Sequence, residues 1–363
     1  MKKALIAMSG GVDSSVAAYL CVKDGLECIG ATMKLYDNDD IYIDTEKTCC
    51  SLSDIEDARS VAMRLNFPYY VFNFKGEFEE YVIKDFVDKY LAGKTPNPCI
   101  ECNRSLKFKK MMNRAKELGI DYVVTGHYVR REFDEKLGRY LLKKAVDNSK
   151  DQSYVLYSMT QDELKHTLFP LGNFTKAQIR EIASEQGFIN ANKHDSQDIC
   201  FVPDGNYAAF IENRLGIPLK KGNFVDKDGN ILGEHKGIIH YTIGQRKGLG
   251  IALGKPVFVN DIKVEENEVV LGDENDLYKK GLVADNINLI SVEKIDKPVH
   301  IAAKIRYSKA EQPATVVQKG DKIYVEFDEP QRAITKGQAV VLYDGETVVG
   351  GGTIVEINDG FLK

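Results

Sequence analysis

Short apolar runs alternate with amphipathic stretches over the first two hundred residues, and the alternation predicts a fold. Residues 3–8 (KALIAM) are apolar after the leading lysine, as expected of a strand buried on both faces, and a glycine-bearing loop at 9–13 follows directly. Residues 14–24 carry apolar side chains at helical spacing and stop at Gly25, a residue suited to the left-handed turn that ends helices. A second strand is predicted at 27–33, with further strands at 69–74 and 122–125. Each of these two follows a helical pattern, at 54–65 and 108–118. Strands alternating with helices predict a doubly wound α/β parallel sheet.

The pattern changes near residue 206. Turn pairs (Asp228 with Gly229, Asp344 with Gly345, Asp359 with Gly360) separate short runs rich in Val, Ile and Tyr. Residues 322–327 (KIYVEF) and 339–343 (AVVLY) alternate at the period of two that suits a strand with one buried face. The expected division is therefore an α/β catalytic domain at 1–205, a small β-rich middle domain at 206–280 and a C-terminal β-barrel-like domain at 281–363.

Composition narrows the class. The chain has 363 residues, 43% hydrophobic and 28% charged, values of a soluble multidomain protein. No run approaches the roughly 18 apolar residues of a membrane span. The N-terminal MKKALIAMSGG has the lysines of a signal peptide, but its apolar run ends in a glycine loop and reads as a buried strand. A cytoplasmic location is expected. Seven cysteines in a long intracellular chain argue against a disulfide scaffold and for thiol or metal chemistry, with Cys21 and Cys28 read as core. The net charge is −5. Neither half carries the basic excess of a nucleic-acid binder, so such a partner must be argued from local features.

The loop SGGVDSS (residues 9–15) stands between strand and helix, where an anion site belongs. Glycines let backbone N–H groups converge on phosphate oxygens, and the helix start adds its dipole. Ser9 and Ser14 supply hydroxyls. Asp13 would repel bare phosphate, which suggests that it holds Mg²⁺. The lysine of a Walker loop is absent from this string. The heptad resembles the PP-loop of the N-type ATP pyrophosphatases, which cleave between the α- and β-phosphates. That resemblance implies ATP as cofactor and AMP transfer to a substrate oxygen, a poor leaving group until it is esterified.

Two further strings, TPNPCIECN (95–103) and DSQDICF (195–201), set Cys99, Cys102 and Cys200 among prolines and polar residues, away from any apolar stripe. They read as loops that carry chemistry. A thiolate there serves as nucleophile, persulfide carrier or metal ligand. Cys99 and Cys102 with the distant Cys200 also resemble the three-cysteine iron–sulfur sites of other PP-loop enzymes, in which one iron stays open, and thiolate ligation of such clusters is ordinary chemistry. Zinc on these cysteines with Cys49 and Cys50 has a poor ligand spacing. Cys49 and Cys50 otherwise read as a packed or exposed pair, and His235 with His240 lacks a third metal ligand. QRKGLG (245–250) reads as a phosphate loop or a strand-turn-strand.

SGGVDSS, TPNPCIECN, TGHYV (125–129), KDQSY (150–154), SQDICF (196–201), YTIGQRKGLGI (241–251) and KIRYS (304–308) occur in one order over essentially the whole chain. Together they resemble the tRNA-specific 2-thiouridylases. The resemblance implies 2-thiolation of the wobble uridine of tRNA. ATP would be held by Ala7, Met8, Ser9, Gly10, Gly11, Val12, Asp13 and Ser14, with Met33 and Gly126. It implies that Cys200 receives a persulfide sulfur from a cysteine desulfurase or sulfur-relay protein, and that Cys102 then forms a disulfide with Cys200. Asn97, Pro98 and Cys99 would border the target base. His127, Lys150, Asp151, Gln152, Arg306, Tyr307 and Gln338 would touch tRNA, and Lys, Arg, Tyr and His suit phosphates and unstacked bases. Many family members have Asp where this chain has Cys99, and that departure keeps the cluster in view. The rivals are another adenylating ligase, which would need no redox cysteines, and a non-enzymatic tRNA- or cluster-binding module, which would not need Asp13.

Overall fold

A computed structural model describes residues 1–37, 52–193 and 199–361. The chain divides into two compact units. The first holds residues 1–83, 98–206 and 346–349; the second holds 84–97, 207–345 and 350–363.

The first unit is built on the parallel sheet expected from the sequence. Its strands are β1 (Lys3–Ala7), β2 (Glu27–Lys34), β3 (Tyr69–Asn73), β4 (Tyr122–Val124) and, after the hairpin β5 (Val129–Asp134) and β6 (Arg139–Lys144), β7 (Thr167–Leu168). The order is β3-β2-β1-β4-β7, and every pair described in it is parallel. Ala4, Leu5 and Ile6 of the central strand are fully buried, which explains the unbroken apolar run. Helix α1 (Val12–Lys23) packs Val16, Ala17 and Cys21 on one face of the sheet with Ala58 and Val61 of α2 (Leu52–Arg64). On the other face Met111, Met112 and Ala115 meet Leu5 and Val123.

Connections from β1 and β4 leave in opposite directions along the sheet. The gap between their carboxyl ends is therefore a topological switch point, the place where open α/β sheets bind ligands. Two loops meet there, residues 9–13 after β1 and residues 125–127 after β4.

Two local expectations are corrected. The stretch TPNPCIEC is not a loop: helix begins at Pro98, runs to Glu101, continues as a nine-residue π-helix over Cys102–Lys110 and ends as α-helix over Met111–Glu117. Proline suits the first helical position because its missing N–H would be unsatisfied there anyway. The region after 206 is not purely β, since Tyr207–Leu215 is a helix that buries Ala208, Phe210 and Ile211.

The second unit contains a four-stranded sheet, in the order β10-β11-β8-β9, made of β8 (Gly222–Val225), β9 (Ile231–His235), β10 (Phe258–Lys263) and β11 (Glu268–Gly272). Phe224, Val259, Val269 and Leu271 form its core with Tyr241. The C-terminal strands are β12 (Tyr278–Leu289), β13 (Val299–Lys304), β14 (Gln312–Lys319), β15 (Lys322–Arg332), β16 (Ala339–Asp344) and β17 (Thr347–Asn358). They run in the order β12-β15-β14-β13-β16-β17, and the antiparallel pairing of β12 with β17 closes a six-stranded barrel. Closure removes the open edges that such a strand-rich segment would otherwise expose.

Candidate active site

The loop after β1 is organised by its own side chains. Ser9 N–H donates to Ser14 Oγ at 3.2 Å, and the Ser14 and Ser15 hydroxyls reach the Gly11 carbonyl at 3.0 and 3.1 Å. Met8 is tied to β2 through Met8 N–H to Ala31 O (2.9 Å) and Thr32 Oγ1 to Met8 O (2.7 Å). Gly10 has φ +74°, and a methyl group there would overlap the Asp54 backbone carbonyl, so only glycine fits. Gly126, from the loop after β4, approaches equally closely. A Cβ on it would lie 2.9 Å from Asp13 C and Ser14 N. Ala7 and Met8 end the strand, and Met33 lies on the neighbouring β2.

Asp13 faces a lysine from far along the chain. Lys176 Nζ lies 2.8 and 2.9 Å from its two carboxylate oxygens, and Tyr128 Oη donates to Oδ1 at 2.7 Å. The ion pair is largely enclosed, with Lys176 12% and Asp13 30% exposed. Lys176 opens the helix Lys176–Glu185, which Thr175 and Gln178 start with a capping box. Cations are disfavoured at a helix N-terminus, so a lysine there requires an anionic partner. That was the available signal for a residue missed from the sequence, where no lysine was assigned to the loop. With both oxygens of Asp13 engaged by an ammonium and a hydroxyl, its surroundings do not suit a protein-held Mg²⁺.

Cys99 and Cys102 share the helix that begins at Pro98, and Cys200 stands in a separate segment. Cys99 is exposed; Cys102 and Cys200 are half-buried. Cys102 opens the π-helix. Beside it Glu101 pairs with Arg104 (3.3 Å) and accepts from Ser105 Oγ, while Asn103 Nδ2 donates to Val155 O at 3.2 Å. The Cys200 carbonyl accepts from Tyr36 Oη at 2.9 Å, and Phe201 packs edge-on against Phe78 with ring centroids 5.6 Å apart. Phe78 and Glu77 belong to one helical turn, and Glu77 also pairs with Lys110 at the far end of the π-helix (3.5 Å). The segments that carry Cys102 and Cys200 thus both lean on residues 75–78.

Among the described residues no three His, Cys, Asp or Glu side chains converge as a metal ligand set. Cys99, Cys102 and Cys200 do not form such a set among those residues. Cys49 and Cys50 lie outside the described residues, as do the first residues of SQDICF. Cys21 and Cys28 are core residues, and burial pushes their thiols up to about 12 and about 11.

Several residues expected at tRNA are built into the protein. His127 is 7% exposed, packed against Phe108 and Phe169, with Nδ1 2.8 Å from Thr125 Oγ1. Burial, then the Lys107 charge, hold its pKa well below the usual histidine value, so the ring is neutral. Gln152 exchanges two bonds with Tyr128: Tyr128 N–H to Gln152 Oε1 at 2.9 Å, and Gln152 N–H to Tyr128 O at 3.0 Å. Asp151 accepts from Ala145 N–H and Ser153 Oγ at 3.0 and 2.6 Å. Gln152 braces Tyr128, and through it Asp13, while Asp151 ties Ala145 to Ser153; Lys150 stays partly exposed beside them.

In the second unit Arg306 Nη2 reaches Thr335 Oγ1 (2.6 Å), Ala333 O (3.2 Å) and Ile243 O (3.4 Å), and Gln338 Nε2 donates to the carbonyls of Thr95 and Pro96 at 2.9 and 3.2 Å. Asn97 follows that anchored pair. Tyr307 is 46% exposed. His235 is buried and structural, with Nδ1 accepting from Gly237 N–H and Nε2 donating to Asn267 O. QRKGLG is a turn without strands, held by Gln245.

Three family models match: the tRNA methyl transferase HUP domain over residues 2–204, the tRNA methyl transferase PRC-barrel domain over 208–273 and the aminomethyltransferase beta-barrel domain over 279–354. A tRNA-specific 2-thiouridylase MnmA of Clostridioides difficile is 55% identical over 354 residues, 97% of this chain and 98% of that protein. One from Acetivibrio thermocellus is 56% identical over 355 residues, 97% of this chain and 99% of that protein. Among solved structures, a 4-thiouridine synthetase–RNA complex with bound ATP is 22% identical, with a TM-score of 0.39 over 56% of this chain and 45% of that one. That likeness is too slight to carry an argument. The curated relatives match end to end at more than half identity, and the chain belongs to the tRNA-specific 2-thiouridylase family.

Proposed function

We propose that this chain binds ATP at residues 9–15 and thiolates the wobble uridine of tRNA in two stages. In the first, the uridine C2 oxygen attacks the α-phosphorus and pyrophosphate leaves, which turns C2–O into a bond that breaks readily. Backbone N–H groups of the loop and the Lys176 ammonium oppose the charge on the phosphates; Asp13 and Tyr128 hold that ammonium in place. Magnesium arrives with the nucleotide as part of the substrate.

In the second stage the terminal sulfur of a Cys200 persulfide attacks C2 and AMP departs. Cys102 thiolate then attacks Cys200 Sγ. The sulfur–sulfur bond to the base breaks, 2-thiouridine is released, and a Cys102–Cys200 disulfide forms. A two-electron thiol reductant resets the pair, and a cysteine desulfurase or relay protein reloads Cys200. Asn97, Pro98 and Cys99 border the extruded base, with Lys150, Arg306 and Tyr307 toward the RNA.

The observation that supports this reading is the Lys176–Asp13 pair at the switch point of a chain whose family thiolates tRNA. The test is thiolation of tRNA with ATP and a persulfide source, in air and without oxygen, by wild type and by Cys99→Ala. Full activity of both in air is expected. Activity confined to anaerobic wild type would replace the persulfide route with iron–sulfur chemistry. Pyrophosphate release without thiolation by either protein would return the adenylating-ligase reading.

A further inference from the structure

The carbonyl of Gly10 is held from two directions. Asn190 Nδ2 donates to it at 2.9 Å, and Lys193 Nζ stands 3.4 Å away. Neither donor is loose. Asn190 is 3% exposed, and its Nδ2 also reaches Ser15 Oγ at 2.9 Å. Its Oδ1 meets no donor among the described residues, and turning the amide over would set oxygen against the Gly10 oxygen. Lys193 is fixed by Asp54 and Asp57, each at 2.6 Å. Arg180 holds the carbonyls of Ala191 and Lys193, both at 3.2 Å, and so secures the backbone between the two donors.

The carbonyl and the N–H of a trans peptide point in opposite directions, and no peptide bond here is cis. Directing Gly10 O toward Asn190 and Lys193 therefore turns the Gly11 N–H the other way. That N–H has no acceptor among the described residues. A peptide between two glycines rotates with little steric resistance, so it keeps one orientation only if something holds it. Two donors on one carbonyl, one of them charged, are a large investment in a single peptide plane.

We propose that Asn190 and Lys193 are positioning residues for the nucleotide. They hold the Gly10–Gly11 peptide with its N–H toward the phosphates, before the ligand arrives. The proposal rests on the ATP-binding reading of the loop given above. It assigns the two residues to recognition of a polyphosphate and not of the nucleoside.

The test compares binding of ATP and of adenosine by calorimetry, using wild type, Asn190→Leu, Lys193→Met and Lys193→Arg. Both removal variants should weaken ATP by about tenfold or more while adenosine changes less than about twofold, and Lys193→Arg should recover most of the loss. Lys193 is partly exposed, so Lys193→Met carries the test if Asn190→Leu folds poorly. Equal weakening of ATP and adenosine, or no change in either, overturns the positioning role. Failure of the wild type to bind ATP overturns the loop reading itself, and with it this proposal.

Discussion

Asp13 and Lys176 are 163 positions apart in sequence, yet the lysine ammonium lies 2.8 and 2.9 Å from the two oxygens of the carboxylate. The loop after β1 lacks a lysine in its own string, and a later helix sets one against the carboxylate of Asp13. On the proposed reading, the acid holds that charge for the phosphates.

Lys176→Met should lower the rate of pyrophosphate release by roughly 10²- to 10³-fold, the usual loss when one stabilising donor is removed. Asp13→Asn keeps the shape but releases the ammonium and should approach the same loss. Raising magnesium or replacing it with manganese should not rescue Asp13→Asn. Rescue would show that Asp13 serves a metal. The measurement is a coupled pyrophosphate assay across metal concentrations.

Gly10→Ala would strain a left-handed backbone and overlap the Asp54 carbonyl. A stability loss of about 1–3 kcal/mol is expected from the conformation alone, together with loss of ATP binding. Thermal melts with and without ATP check both, and a variant that melts and binds normally would refute the geometry.

Cys200→Ser and Cys102→Ser should each abolish thiolation and leave pyrophosphate release largely intact. Among the described cysteines, alkylation mapped by mass spectrometry at pH 7.5 should label the exposed Cys99 first. Cys21 and Cys28 should stay unlabelled in the native protein, because burial pushes their thiols up to about 12 and about 11. Early labelling of either would contradict their burial.

His127 and His235 both have pKa values lowered by burial. The folded state keeps each neutral while the unfolded chain takes up a proton near pH 6.5. Their contribution to stability is complete above that value and is lost as the pH falls toward the folded pKa. Urea unfolding between pH 7.5 and 5.5 should show a fall of up to about 1.4 kcal/mol per pH unit for each histidine. His127→Gln should flatten the slope, and an unchanged slope would exclude that residue as a cause.

The central sheet, the glycine loop after β1 and the change near residue 206 were legible because each depends on local pattern. Residues 3–8 read as a buried strand, and the strand runs over Lys3–Ala7; the glycines of SGGVDSS marked the loop that follows it at the switch point. Lys176, Asn190 and Lys193 were not legible in that way. Each acts through a partner 130 or more positions away, and such pairings follow from topology, not from spacing. The helix from Pro98 was misread because prolines and polar residues mimic a loop, although proline is also a good first residue of a helix. His127 was placed at tRNA by the family resemblance, and its enclosure by Phe108 and Phe169 had no signal in the local sequence.

The π-helix behind Cys102 has a consequence for how the sequence can vary. Its wide turns hold more residues per turn than an α-helix, and Met111–Glu117 beyond it is anchored in the core by Met111, Met112 and Ala115. Losing one residue between 103 and 110 would force the segment to rewind, and so change both the height and the phase of Cys102 relative to the core anchor. The number of residues along this stretch is constrained as well as the identity of its buried side chains Asn103, Leu106 and Phe108. The interval from the thiol to the core works as a fixed phase, and a one-residue deletion there should silence sulfur transfer in a protein that still folds and still binds ATP.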